Sequence, residues 1–418
     1  MLHLLDDHPV HPTSEPLLHP GTSDRNHYDR FFFNGYTEDG ALFFAVAFGT
    51  YPNRGIRDAA FSVVRDGRQQ ALHASCEAGA REPLGVGPIT VEIEEPMRTL
   101  RVRVAVNDSG LEAELRFRAR SAAAEEPRFV RREHGRLLMD VTRFTQFGTW
   151  EGWIAIDGKR VSLDPRVVLG CRDRSWGVRP LGERAPGPAP VDPQFFWLWA
   201  PLQFDDCCTH FAVNEDATGT RWHQNGVVLP LLAPDGDPTD PGDAESTRDV
   251  HHRIVWQPGT RRMAHATLTL VAPHGARREI VLEPILTFQM LGLGYLHPEW
   301  GHGIWQGREA QASESWALAD CAPLDPRFLH VQQLCRARMG ERNGVGVLEQ
   351  LVIGPHAPSG FTQLLDGAPV KKGVGLEAST FPFRGKVDAS NPTPFLTTPF
   401  LTVSAGGAGR GGSRRRLR

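Results

Sequence analysis

Alternation of apolar and polar residues with a period of two constrains this chain more than any other feature. The segment ITVEIEEPMRTLRVRVAVNDSGLEAELRFRAR (89–120) carries it most clearly. Val102, Val104 and Val106 alternate with Arg101, Arg103 and Ala105. After the turn NDSG, Leu111, Ala113, Leu115 and Phe117 alternate with Glu112, Glu114, Arg116 and Arg118. Successive side chains of an extended strand point to opposite faces, so one face is buried and the other wet, as in an antiparallel meander. Asp-Gly hairpins recur in FSVVRDGRQQAL (61–72) and WIAIDGKRVSL (153–163), and ATLTLVAPHGARREIVLEPILTFQM (266–290) repeats the grammar around His-Gly. The expected class is all-β, built as sandwiches or closed barrels. One amphipathic helix is predicted, over PRFLHVQQLCRARMG (326–340), with Phe328, Val331, Leu334 and Cys335 on one face and Gly340 as the stop.

The Pro- and Gly-rich stretch LGERAPGPAPVDPQ (181–194) marks a junction between two β-domains. The expected organisation is an N-terminal extension (1–22), a first β-domain (23–190), a second (191–365) that holds the helix, and a disordered tail (366–418). The acidic loop APDGDPTDPGDAEST (233–247) reads as a mobile insertion. A net charge of −3 gives no reason to expect nucleic acid as a partner. No apolar run approaches the roughly 18 residues of a membrane-spanning helix, and the N-terminus does not read as a signal peptide. Six cysteines without a C-x-x-C pair read as reduced thiols, which fits a cytoplasmic protein.

Two segments concentrate chemistry, the first preceded by DVTRFTQFGTWEGW (140–153), and RNHYDRFFFNGY (25–36) with GTYPNRGIRDAAFS (49–62) is a third, smaller candidate. In GCRDRSWGVRP (170–180), extended backbone would place Asp173 and Ser175 on one face and Arg172, Arg174 and Trp176 on the other. The flanking arginines would favour an ionised Asp173, so they read as scaffolding around a base or an ion pair. The second segment, GLGYLHPEWGHGIWQG (292–307), packs five glycines, Tyr295, Trp300, Trp305, His297 and His302 into sixteen residues. Its histidines lack an obvious third ligand, so no metal site is expected. Neither a nucleotide-binding loop nor a nucleophile elbow is present, and no cofactor is expected. Trp150, Trp153, Trp176, Trp197, Trp199, Trp300 and Trp305 gather near these segments and the junction, which argues for an apolar pocket that takes a hydrophobic small molecule.

A D-x-x-W-G motif (Asp173, Trp176, Gly177) and the segment Y-L-H-P-E-W-G-H-G from Tyr295 follow one another on an all-β chain. This combination resembles the carotenoid 1,2-hydratase (hydroxyneurosporene synthase)/AttH-like family over about residues 20–365. FFFNGY, YPNRG, DAAFSVVRDG and RDRSWG are similar to a bacterial branch of it. The resemblance implies two lipocalin-like (calycin) antiparallel β-barrels packed side by side. It further implies a cofactor-independent hydro-lyase or isomerase acting on a C=C bond of an isoprenoid-like molecule. Asp173, His297 and His302 would be catalytic, the acid protonating carbon and a histidine orienting water or removing a proton. Trp150, Arg172, Trp176, Tyr295, Trp300 and Trp305 would contact substrate. Arg174 stands where the family commonly has His. A non-catalytic carrier of a lipid, steroid or isoprenoid, and a pericyclase-type cyclase, are the alternatives.

Overall fold

The computed structural model describes residues 7–8, 20–80, 83–133, 135–181 and 193–370. Most of the N-terminal extension, residues 182–192 of the junction and the tail beyond residue 370 lie outside the described residues. The described residues fold into two antiparallel sheets, of 14 and nine strands, each curled into a half-barrel. In the first, His27–Thr37 lies between Leu42–Tyr51 and Val168–Val178, and Val168–Val178 in turn pairs with the long strand Arg136–Ile156. In the second, Phe195–Phe204 lies between Cys207–Glu215 and Arg342–Ile353. One strand crosses over: Glu309–Ala317, from the later half of the chain, pairs with Arg68–Glu77 at the edge of the first sheet. Covering that edge removes a row of unpaired backbone groups.

Two kinds of strand sequence produce two kinds of environment. The meander Thr99–Val104 and Leu111–Ala119 buries alternate residues, as its period of two requires. Leu42–Tyr51 (LFFAVAFGTY) is buried at all ten positions. Phe44, Val46 and Phe48 join the core of the first sheet with Phe33, Phe61 and Trp150, whereas Phe43, Ala45 and Ala47 join a layer shared by both sheets. In that layer the Phe43 and Phe288 rings stack at 4.8 Å. A strand covered on both faces has no use for alternation, which explains its continuous apolar run.

The helix expected over 326–340 is not formed. Pro326–Phe328 makes a single 3-10 turn, and Val331–Met339 is a strand between Arg277–Gln289 and Arg342–Ile353. Its CRARM end alternates inside and out, with Arg336 and Arg338 exposed. Pairing on both edges overrides the helical spacing of a few apolar residues. The acidic loop 233–247 is also tethered: Ala123 N–H donates to the Pro238 carbonyl at 2.9 Å, and Arg98 Nη1 to that of Pro234 at 3.2 Å.

Candidate active site

A cavity of about 1040 Å³, open mouth included, lies where the two sheets meet. Strand register builds its first wall. Arg30, Ser175 and Arg143 lie side by side on three neighbouring strands, and Phe32, Asp173 and Thr145 form the next row on the same face. Trp197, Trp199, Asn214, Glu349 and Leu351 of the second sheet form the opposite wall. Tyr295 and His302, from the glycine-rich loop, close one end. Gly177 of the D-x-x-W-G motif sits at φ 127°, and a Cβ there would lie 2.1 Å from the Asp140 carbonyl oxygen. That glycine lets the neighbouring strand approach closely beside the cavity row.

The polar groups of the cavity are unequally satisfied. Glu126 takes a bidentate bond from Arg143, at 2.9 and 2.5 Å, and another from Thr145 Oγ1 at 2.7 Å. Burial opposes ionisation of Glu126, but Arg143, His210 and these donors outweigh it and bring the carboxyl down to about 2. Glu349 accepts from His330 Nε2 at 2.6 Å and Gln332 Nε2 at 2.7 Å. Asp173 is different. Among the described residues, no hydrogen-bond or ion-pair partner meets its carboxylate. Burial pushes Asp173 up to about 6, against the pull of the Arg143 and Arg30 guanidiniums. An acid of that pKa can either give or take a proton near neutral pH.

Arg30 and His302 are locked together. His302 Nε2 donates to the Leu293 carbonyl at 2.8 Å, which leaves the Nδ1 lone pair to accept from Arg30 Nη1 at 3.2 Å. Burial, then the Arg30 charge, holds the imidazole well below its usual pKa, so it stays neutral. With both ring nitrogens engaged, His302 positions Arg30. Arg30 Nη1 also donates to Tyr295 Oη at 2.8 Å, and its guanidinium lies 4.6 Å from that ring's centre. The Tyr295 ring meets His302 and His330 edge-on, both at 4.5 Å.

Of the nine residues singled out from the sequence, the structure brings Asp173, Tyr295 and His302 to this cavity. The other six lie elsewhere, which corrects the single shared pocket. Arg172 and Trp176 point to the far side of the Asp173 strand. Arg172 is fully buried and paired with Asp7 at 2.5 Å, and Trp176 packs against Phe144. Trp150 is in the core of the first sheet and donates to the Asn34 carbonyl at 2.8 Å. Trp300 lines a small hollow and stacks on His73, while Trp305 is 51% exposed.

His297 belongs to a clasp. Its Nε2 and that of His73 both meet Glu314 Oε1, at 3.1 and 3.0 Å. These three side chains could ligate a cation by distance alone. The backbone N–H groups of Glu299 and Trp300 both donate to His297 Nδ1, at 3.1 and 2.8 Å. A neutral ring whose Nδ1 accepts must carry its proton on Nε2, so no lone pair faces a metal. The cluster ties the glycine-rich loop to the crossing strand.

Sequence reasoning picked out the segments of Arg30 and Arg143 but not these two residues, and it missed Glu349. Arg30 and Arg143 share their segments, RNHYDRFFFNGY and DVTRFTQFGTW, with aromatic residues. Glu349 was the stronger signal: a lone acid in the apolar run VGVLEQLVIG.

Among solved structures, similarity extends to kievitone hydratase from Nectria haematococca, at 11% identity over 77% of this chain and 88% of that one, with a TM-score of 0.48. An AttH protein from Nitrosomonas europaea matches at 12% identity over 78% and 92%, with a TM-score of 0.49. CghA, solved with Sch210972, matches at 13% identity over 78% and 89%, with a TM-score of 0.45. No curated protein matches the chain in sequence. A family model covers residues 2–362, and by that match the chain belongs to DUF8625, a family of unknown function.

Proposed function

We propose that the protein is a cofactor-independent enzyme that moves a proton to or from carbon in a hydrophobic, isoprenoid-like small molecule. The outcome is hydration, dehydration or isomerisation of a C=C bond. The observation that carries this reading is the Asp173 carboxyl, without a protein partner among the described residues, on the wall of a cavity lined by Phe32, Trp197 and Trp199. A purely structural buried acid would be paired, as Glu126 is, whereas Asp173 is half-buried and faces the cavity. A carboxyl near pKa 6 is too weak to protonate an isolated alkene readily. It suits a double bond activated by a neighbouring carbonyl or enol, where the same group takes a proton from one carbon and returns it to another. Arg30 and Arg143 flank it and stabilise its anion, and the aromatic walls exclude water from the reacting carbon.

The test is proton exchange. A panel of terpenoid and prenylated enones, incubated with the protein in heavy water, should gain deuterium at carbon. Asp173→Asn should lower that exchange by about 10²-fold or more, the usual share of a general acid–base group, while ligand affinity stays within a few-fold. Binding without exchange in the wild-type protein would replace this reading with that of a carrier.

A further inference from the structure

Two arginines at the cavity carry hydrogen-bonding capacity that the described protein does not use. Arg30 is 1% exposed, yet its Nε and Nη2 have no partner, and no carboxylate lies within ion-pair distance of it among the described residues. Arg179, at the mouth, likewise has Nε and Nη2 buried without a partner, and its guanidinium lies 4.5 Å from the Tyr28 ring centre. Four other buried arginines are ion-paired, Arg143 with Glu126, Arg172 with Asp7, Arg174 with Asp29 and Arg261 with Asp366, and buried Arg57 donates to the Ala80 and Pro83 carbonyls. Buried N–H groups without an acceptor are costly, so the Nε/Nη2 edges of Arg30 and Arg179 call for an acceptor that the described residues do not supply.

We propose that Arg30 and Arg179 receive an anionic oxygen of the ligand, so that the substrate class is an amphipathic acid: a hydrophobic skeleton bearing one carboxylate, phosphate or enolate-type oxygen. This rests on the reading of the cavity as a substrate site and narrows what enters it. The geometry around Arg30 supports the assignment. Tyr295 Oη and His302 Nδ1 both take Nη1, which fixes the guanidinium plane and leaves its other edge for a ligand. The aromatic wall opposite would cover the skeleton. The acids that could compete for Arg30 are few. Glu349 is held by His330 and Gln332, and Asp58 by Tyr51 Oη at 3.0 Å and the Gly303 N–H at 2.7 Å. Asp173 is the remaining one, and it acts on Arg30 through space. An anionic oxygen on Arg30 would therefore replace Asp173 as the counter-charge. With Arg30 so occupied, the Arg143 cation alone would oppose burial, Glu126 and Glu349, and Asp173 would be driven toward its protonated, proton-donating form.

The experiment compares matched ligands by tryptophan quenching in the full chain: a polyene fatty acid against its methyl ester, and geranyl phosphate against geraniol. The anionic member should bind at least about tenfold more tightly in each pair for which it fits, as charge-assisted hydrogen bonds require. The two pairs separate carboxylate from phosphate. Arg30→Met should erase the preference, Arg179→Met should reduce it, and Asp173→Asn should retain or enlarge it. Equal affinity of the charged and neutral members in the wild-type protein, which needs no variant, overturns the proposal. So does a preference that survives both arginine substitutions. A charge preference without deuterium exchange would leave this inference standing and remove the enzyme reading; exchange without the preference would do the reverse.

Discussion

The two faces of the strand Val168–Val178 carry the same kinds of residue to opposite ends. On one face, Arg172 and Arg174 are sealed from water and ion-paired within the protein, although Arg174 Nη2 has no partner. Arg172 donates to Asp7 at 2.5 Å and Gln146 at 2.8 Å, and Arg174 pairs with Asp29 and donates to the Arg30 carbonyl at 2.9 Å. On the other face, Asp173 and Ser175 meet a cavity, and the Asp173 carboxyl is left without a partner among the described residues. Satisfied buried charges serve folding, and an unsatisfied one at a cavity wall is available for chemistry.

This contrast predicts opposite signs for substitutions one residue apart. Arg172→Met leaves the Asp7 carboxylate buried without its cation and Gln146 Oε1 without its donor. Unfolding in urea should show a loss of about 3–5 kcal/mol, the usual cost of breaking a buried pair. A loss under about 1 kcal/mol would mean that Asp7 simply leaves, and the two faces would no longer differ in kind.

Asp173→Asn should stabilise the fold instead. The folded pKa, about 6, lies above the ordinary aspartate value of 3.8, so the protonated form is favoured by folding. That stability is fully present below about pH 4 and is lost as pH rises through 6. Asn resembles the neutral acid at all pH values. The variant should exceed the wild-type protein by roughly 2–3 kcal/mol above pH 7, with the difference vanishing near pH 4. A pH-independent difference would mean that Asp173 titrates normally and lacks the character assigned to it. Glu314 predicts the reverse window. Burial opposes its ionisation, but His297 and His73 overcome this and lower it to about 2, so its contribution is present above pH 4.5 and fades as pH falls toward 2.

Much of this was legible in the sequence, and the limits are physical. Period-two alternation identified the strands, and the same rule placed Asp173 and Ser175 on one face of theirs, opposite Arg172 and Arg174, as the register shows. The predicted helix failed because strand pairing on both sides of Val331–Met339 is a long-range property that local spacing cannot report. Arg172 and Trp176 were assigned to substrate by the resemblance, whereas the alternation put them on the face opposite Asp173, where the structure has them. Glu349 and Arg30 come to the cavity from positions far apart in the chain, and only the packing of one sheet on the other brings them together.

The glycine-rich loop repeats the contrast on a smaller scale. Tyr295 and His302 serve the cavity, while His297 between them serves the clasp. His297→Ala removes an acceptor from two backbone N–H groups and a donor from Glu314, and should cost about 1–2 kcal/mol. Hydrogen exchange should rise at Glu299 and Trp300, where the amides lose their acceptor. Unchanged protection of those amides would show that the loop is held by other contacts, such as the turn at Gly294, where φ is 88° and a Cβ would lie 2.6 Å from the Trp300 carbonyl oxygen.

The smallest effect is expected at Trp305, on the solvent-exposed part of the loop. This indole is 51% exposed, lies outside the cavity lining and follows the last loop residue that reaches it, His302. An exposed side chain away from buried polar groups contributes little to folding, so Trp305→Ala should change stability by less than about 0.5 kcal/mol. Ligand affinity and exchange into substrate should stay at wild-type values. Trp197→Ala, which strips an indole from the cavity wall, should weaken binding at least several-fold by the same assay. If Trp305→Ala instead matched Trp197→Ala, the indole would have to fold over the cavity mouth when ligand binds, and the loop could no longer be divided into a cavity part and a clasp part.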